Sequence, residues 1–207
     1  MSSPKVKIFY VDYMGRAEMI RLLFAAAGKP FEDVRFSLED WSAKWKSKAP
    51  FGTSPWVEVD GEVYAQSIAI ANYFAKEFGF FGKNNKEALH IEQMVNLIQD
   101  FMVIAVSIDD QYQDQKKHRE LTEDCKKNTM PRFFGFFEKI LKASGTGYVV
   151  GNQMTLADIA LFDVLTGYLK NFAGPLDDYP LCVALRDKVG ANDKIKAYMA
   201  SRPVTVG

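Results

Sequence analysis

The stretch Trp56-Val-Glu-Val59, Asp60-Gly61, Glu62-Val-Tyr-Ala65, running on into Ser67-Ile-Ala-Ile-Ala-Asn-Tyr-Phe-Ala-Lys76, decides the fold of this chain. Two short apolar runs flank Asp-Gly, the strongest short-range hairpin signal, so the stretch reads as two antiparallel strands. The run that follows reads as a helix whose first residue, Ser67, is a good N-cap. Upstream, Lys5-Val-Lys-Ile-Phe-Tyr10 alternates with Val6, Ile8 and Tyr10 on one face, the period of a strand. From Gly15 to Ala27 the apolar positions Met19, Ile20, Leu23, Phe24 and Ala27 recur at helical spacing, with Gly28 as the C′ stop and Pro30 just beyond. Phe31–Phe36 reads as a second strand, and Trp41–Lys46 as weakly helical or irregular.

The resulting order, β-α-β-(α)-β-β-α, requires one mixed sheet with helices packed on it, because parallel neighbours need a crossover. This is the thioredoxin-like arrangement, expected over residues 1–80. Phe78-Gly-Phe-Phe-Gly-Lys-Asn-Asn85 breaks both periods, so a linker is placed at 81–89. Residues 90–207 read as helical throughout. Ile91, Met94, Val95, Ile98, Phe101, Met102 and Ala105 trace one buried stripe, and Phe133, Phe137, Ile140 and Leu141 another. Thr155-Leu-Ala-Asp158 has the spacing of a capping box, with Met154 and Ile159 placed for a hydrophobic staple. The expected class is therefore α/β plus all-α: a thioredoxin-like domain with a mixed four-stranded sheet, then an all-helical domain.

Composition narrows the function. The 207 residues are 48% hydrophobic and 25% charged, ordinary globular values with enough apolar material for a sizeable core. Lys+Arg and Asp+Glu both number 26, so no net field favours a nucleic acid or an anionic membrane. No unbroken apolar run reaches the roughly 18 residues of a membrane span, and Met1-Ser-Ser-Pro-Lys lacks the apolar core of a signal peptide, so a cytoplasmic location is expected. Cys125 and Cys182 form no Cys-x-x-Cys pair and show no metal-ligand spacing, so neither dithiol nor metal chemistry is expected.

Tyr10-x-x-x-Met-Gly-Arg-Ala-Glu18-x-Ile-Arg21, Glu-Asp-Trp41, Pro50-Phe-Gly, Pro55, Glu58-Val-Asp-Gly61, Gln66-Ser-x-Ala-Ile-Ala71 and Gly151-Asn-x-x-Thr-x-Ala-Asp158 occur in this order along nearly the whole chain. Together they resemble the cytosolic glutathione S-transferases, and among them the sigma class. The resemblance implies a homodimeric enzyme that conjugates glutathione, as co-substrate, to small hydrophobic electrophiles in detoxification. It also leaves open glutathione-dependent isomerisation of the prostaglandin type, peroxide reduction in the same site, or a non-enzymatic crystallin-like or ligand-binding role. Retention of Tyr10, Arg16, Gln66 and Ser67 together speaks against a purely structural part.

A glutathione thiol with a pKa near the ~8.5 of cysteine is only a few per cent ionised at neutral pH, so a catalyst must favour the anion, for which a hydroxyl donor serves. Locally Tyr10 reads as a core aromatic; the resemblance makes it the catalytic hydroxyl. It likewise matches Arg16, otherwise a solvated helix charge, to the arginine that supports this tyrosine. Gln66 and Ser67 match the γ-glutamyl carboxylate site, where a helix N-terminus offers unsatisfied N–H groups. Pro55 matches the family's cis-proline, which presents Ser54 to the cysteinyl group; Thr53 stands where a lysine or glutamine is frequent, a difference of little weight for a contact made through the backbone. Trp41 matches the indole donor near the glycyl carboxylate, but Pro50 follows it by nine positions where the class has eight. With this one-residue insertion, Lys46 is the matching lysine counted from Pro50, and Lys44 is the alternative. Asp100 matches the aspartate that reaches a partner subunit's ligand ammonium, though it also reads as a solvated carboxylate; Glu18 or Asp12 could meet the ammonium within one chain. The electrophile pocket implied by the resemblance comprises Val11, Tyr13, Met14, Met102, Ala105, Val106, Ala160, Val164 and the C-terminal tail. Relatives that isomerise prostaglandin H have a tryptophan near position 107, where this chain has Ser107.

Overall fold

The computed structural model describes residues 5–109, 113–167 and 176–205. The chain divides into two compact units: the described residues up to Gly79 together with those from Asn192 on, and Phe80–Ala191. The sequence reading placed 192–207 with the helical domain; the described residues from Asn192 on instead pack with the first unit.

The first unit holds β1 (Val6–Val11), α1 (Gly15–Ala27), β2 (Glu32–Phe36), a short helical turn α2 (Leu38–Asp40), a π-helical turn (Trp41–Trp45), β3 (Trp56–Val59), β4 (Glu62–Ala65), α3 (Ser67–Phe78) and α9 (Asp193–Ser201). The sheet order is β2-β1-β3-β4, with β1 parallel to β2 and antiparallel to β3, and with β3 antiparallel to β4. The hairpin turns at Asp60 (φ 51°) and Gly61 (φ 94°), both left-handed as the twist of the strands requires. α1 packs on α3 and on α9, and Phe24 meets Phe74 and Phe78 edge-on at 4.6 and 5.0 Å. Although β1 alternates, its other face is buried too. Phe9 and Val11 join Phe36, Ala49 and Trp56 in a second core, with Trp41 and Trp45 packed against it.

The second unit holds α4 (Asn85–Asp109), α5 (Gln115–Asp124), a π-helical turn (Cys125–Thr129), α6 (Met130–Ser144), α7 (Leu156–Thr166) and α8 (Pro180–Gly190). α4 begins inside the expected linker. All seven residues of its apolar stripe are buried, as are Phe133, Phe137 and Leu141 of α6. By length and composition Asn85–Ile108 would suffice to cross a membrane, which a search for an unbroken apolar run passes over. Its buried stripe is equally that of a core helix, and α4 packs on α7. The capping box forms: the Asp158 carboxylate accepts from the N–H groups of Thr155 (2.7 Å) and Val149 (2.7 Å) and from the Thr155 hydroxyl (2.8 Å). Burial pushes this carboxyl up to about 6, outweighing these donors and the residue's own N–H, which pull it down.

Candidate active site

Tyr10 is half-buried near the end of β1, and the chain turns tightly beyond it, with Tyr13 N–H donating to the Val11 carbonyl at 2.6 Å. α1 begins at Gly15, whose φ of +42° suits glycine. The next N–H, that of Arg16, donates to the Tyr10 hydroxyl at 3.2 Å. The first N–H groups of a helix lack intrahelical acceptors and carry its positive end, so this hydroxyl oxygen satisfies one of them. A hydroxyl that accepts in this way can still donate its own proton to a third atom. The Arg16 contact with Tyr10 runs through its main chain, while its side chain is exposed.

The cation beside Tyr10 is Arg21, whose guanidinium carbon lies 5.9 Å from the centre of the Tyr10 ring. Arg21 is fully buried, and it belongs to a charged network that the sequence reading missed. Its Nη1 donates to the carbonyls of Tyr13 (2.9 Å) and Met14 (3.3 Å) and to Glu18 Oε2 (3.4 Å), while its Nε donates to Asp33 Oδ1 at 3.0 Å. Glu18, also fully buried, accepts at Oε1 from the Tyr198 hydroxyl (3.0 Å) and from Arg202 (2.5 Å). Arg35 closes the far side on Asp33 Oδ2 (2.8 Å) and Asp12 Oδ1 (3.1 Å). Burial and the neighbouring Glu18 carboxylate drive the Tyr198 hydroxyl well above the ordinary tyrosine range, so it stays a donor. Glu18 and Asp12, the single-chain alternatives for an ammonium partner, are both engaged here. The available signal was Glu18 and Arg21, an i,i+3 charged pair in a helix whose residues from Leu22 on are all apolar.

On the carboxylate side, the Ser54–Pro55 bond is cis. Ser67 is the first residue of α3 rather than its cap: the Gln66 carbonyl accepts the first helical bond, from Ile70 N–H at 3.0 Å, and no side chain caps the helix. Gln66 is left-handed, with φ of 74°, a conformation costing a non-glycine residue roughly 1–3 kcal/mol. Ser67 is buried beside it, whereas Thr53 and Gln66 are exposed. Trp41 is half-buried, stacked on Phe36 at 5.8 Å. Between Trp41 and Pro50 the chain makes the π turn, in which Lys46 N–H reaches back five residues to the Trp41 carbonyl at 2.9 Å. Lys44 and Lys48 lie over the Trp45 ring at 5.1 and 4.9 Å, and Lys46 is exposed.

Of the remaining expected residues in the first unit, Val11 is buried, and Tyr13 and Met14 are half-buried. In the second unit Asp100 is exposed on α4, Val106 is half-buried, and Met102, Ala105, Ala160 and Val164 are buried. The Ser107 hydroxyl donates to the Ile104 carbonyl at 2.7 Å. Both cysteines are buried and free.

Two family models match the chain: the glutathione S-transferase N-terminal domain over residues 6–76 and the C-terminal domain over 99–202. S-crystallin SL11 of Nototodarus sloanii is 34% identical over 206 residues, covering 96% of this chain and 97% of its own. The structure of prostaglandin synthase D of Nilaparvata lugens superposes with a TM-score of 0.90 at 33% identity, covering 98% of this chain and all of that one. A monomeric glutathione S-transferase of the hookworm Necator americanus gives 0.89, also at 33% identity, over 98% of this chain and 100% of that one. The chain belongs to the glutathione S-transferase family, and its activity is that of a glutathione transferase.

Proposed function

We propose that this is a sigma-class transferase in which Tyr10 steadies the glutathione thiolate for attack on small hydrophobic electrophiles, working as a cytoplasmic homodimer in detoxification. The observation that carries the reading is the Tyr10 hydroxyl seated against the Arg16 N–H at the start of α1. With glutathione bound, the hydroxyl donates to sulfur, and a hydrogen bond to the charged form favours ionisation of the thiol. The thiol proton passes to solvent, the sulfur lone pair forms the S–C bond, and the leaving group departs with its bonding pair.

The uncapped N-terminus of α3, with Ser67 and Gln66, receives the γ-glutamyl carboxylate. Ser54, ahead of Pro55, pairs with the cysteinyl backbone, with Thr53 adjacent. Trp41 and Lys46 take the glycyl carboxylate. Lys46 is favoured over Lys44 because it is the matching lysine counted from Pro50. Asp100, exposed on α4, meets the ammonium of the ligand bound to a partner subunit. Val11, Tyr13, Met14, Met102, Ala105, Val106, Ala160 and Val164 are the residues the family resemblance assigns to the electrophile.

Isomerisation of the prostaglandin type is the second reading, favoured by the likeness to the Nilaparvata lugens synthase and opposed by Ser107. Turnover of an aryl halide by wild type and Tyr10→Phe, each with glutathione binding measured by calorimetry, tests the reading. A loss of about 10- to 1,000-fold in turnover at unchanged affinity is expected, as for removal of one anion-stabilising donor. Equal rates in the two proteins would remove Tyr10 from its role. Binding without turnover in wild type would favour a crystallin-like carrier.

A further inference from the structure

Resting on the reading of Tyr10 given above, we infer that Arg21 is a positioning residue for the Tyr10 hydroxyl. It acts by holding the carbonyls of Tyr13 and Met14 and so fixing the hand-over from β1 to α1.

An arginine on the core-facing side of a helix is an expensive choice, since a buried guanidinium costs several kcal/mol in lost hydration unless its donors are met. A leucine there would pack without that cost. The donors of Arg21 go to specific places: the two N–H groups of Nη1 are shared among the main-chain carbonyls of Tyr13 and Met14, directly after β1, and Glu18 on its own helix, and the Nε–H goes to β2 through Asp33. Those carbonyls belong to the two residues immediately before Gly15, in the stretch that joins β1 to α1. Arg21 therefore anchors the loop from behind, and the loop sets where the Arg16 N–H stands relative to Tyr10. The remaining terminal nitrogen, Nη2, has no hydrogen-bond partner among the described residues. The guanidinium that carries it lies within cation–π range of the Tyr10 ring. Loop, helix start and ring are thus tied to one side chain. Glu18, held in turn by Tyr198 and Arg202 of the C-terminal segment, keeps that guanidinium from shifting along α1.

The test is a double-mutant cycle between Arg21→Lys and Tyr10→Phe, read as kcat and as KM for glutathione with an aryl halide. Lysine keeps the charge but cannot reach two carbonyls and two carboxylates at once. Arg21→Lys alone should lower kcat by about 10- to 100-fold, the cost of a misplaced reacting group. KM for glutathione should stay within about threefold, because the carboxylate sites lie on other elements. In the Tyr10→Phe background the same substitution should change kcat less than about twofold, since the hydroxyl it positions is gone. A full Arg21 effect persisting in that background overturns the proposal, as does an Arg21→Lys protein with wild-type kcat. If Tyr10→Phe alone leaves kcat unchanged, it is the reading of Tyr10 that fails. Should Arg21→Lys not fold, Asp33→Asn replaces it in the cycle. That variant loosens the Nε anchor at a partly exposed carboxylate, and the same non-additivity with Tyr10→Phe is expected; additive effects overturn the proposal.

Discussion

A Cβ placed on Gly15 would come within 2.7 Å of Tyr10 Cε1 and closer still to the Tyr10 hydroxyl oxygen. The start of α1 and the proposed catalytic tyrosine share one space, and only a residue without a side chain lets both occupy it. Gly15→Ala should therefore fold but push the phenol off the Arg16 N–H. Turnover should fall by about 100-fold, and stability by about 1–3 kcal/mol from the left-handed backbone. Steady-state rates and urea unfolding on one preparation check both. Wild-type turnover would show that the hydroxyl need not sit there.

Ser67→Ala should weaken glutathione binding and spare the fold. Because Ser67 is inside the helix and caps nothing, its removal costs no cap energy. The loss is a hydroxyl bond to a carboxylate, about 1.5–3 kcal/mol or roughly 10- to 100-fold in affinity. Calorimetric titration beside a thermal melt separates the two; a lowered melting temperature with intact affinity would make Ser67 structural.

Asp100→Asn should weaken glutathione binding without dissociating the dimer. In a heterodimer of Tyr10→Phe and Asp100→Asn chains, donation across subunits leaves one site with both defects and one with neither. If each chain used its own Asp100, both sites would be singly impaired. Counting active sites in the heterodimer decides, and a monomer by sedimentation would end the proposal.

Asp158 should give unit two a pH-dependent stability. Its carboxyl is raised from an ordinary 3.8 to about 6 by burial, so the folded protein holds the proton more tightly than the unfolded chain. Its contribution is greatest below about pH 4, declines between about 4 and 6, and is level above, a change of about 3 kcal/mol in all. Asp158→Asn should abolish that slope. It should also cost about 1–3 kcal/mol at neutral pH, since the amide cannot accept from all three donors. Urea unfolding from pH 4 to 8 measures both.

The strands, the Asp60-Gly61 hairpin and the stripes of α4 and α6 were legible in the sequence because each is a local period or turn signal. The roles proposed for Tyr10 and Arg16 come from the resemblance alone, since locally the one reads as a core aromatic and the other as a solvated helix charge; the contact between the Arg16 N–H and the Tyr10 hydroxyl has no sequence signal. Arg21 and Glu18 were hidden, since three-residue spacing of opposite charges on a helix usually marks a solvated pair, and only tertiary packing buries it. The displacement of the cap from Ser67 to Gln66 depends on a left-handed backbone that glutamine seldom adopts. No local pattern in 193–201 says which unit that helix joins; Ile195 is its one buried residue, and its partners lie far back in the chain.

That return of α9 to α1 has a consequence for synthesis. Domains generally form as they emerge, N-terminal first, at about 5–20 residues per second. The first unit cannot finish on that schedule: until Tyr198 and Arg202 exist, the Glu18 carboxylate has, among the described residues, only Arg21 to meet it in the interior. The nascent sheet and its helices must wait, incompletely neutralised, while the whole helical unit is translated. The order of translation and the order of completion therefore differ, and Glu18 is locked in place by residues made some 180 positions later.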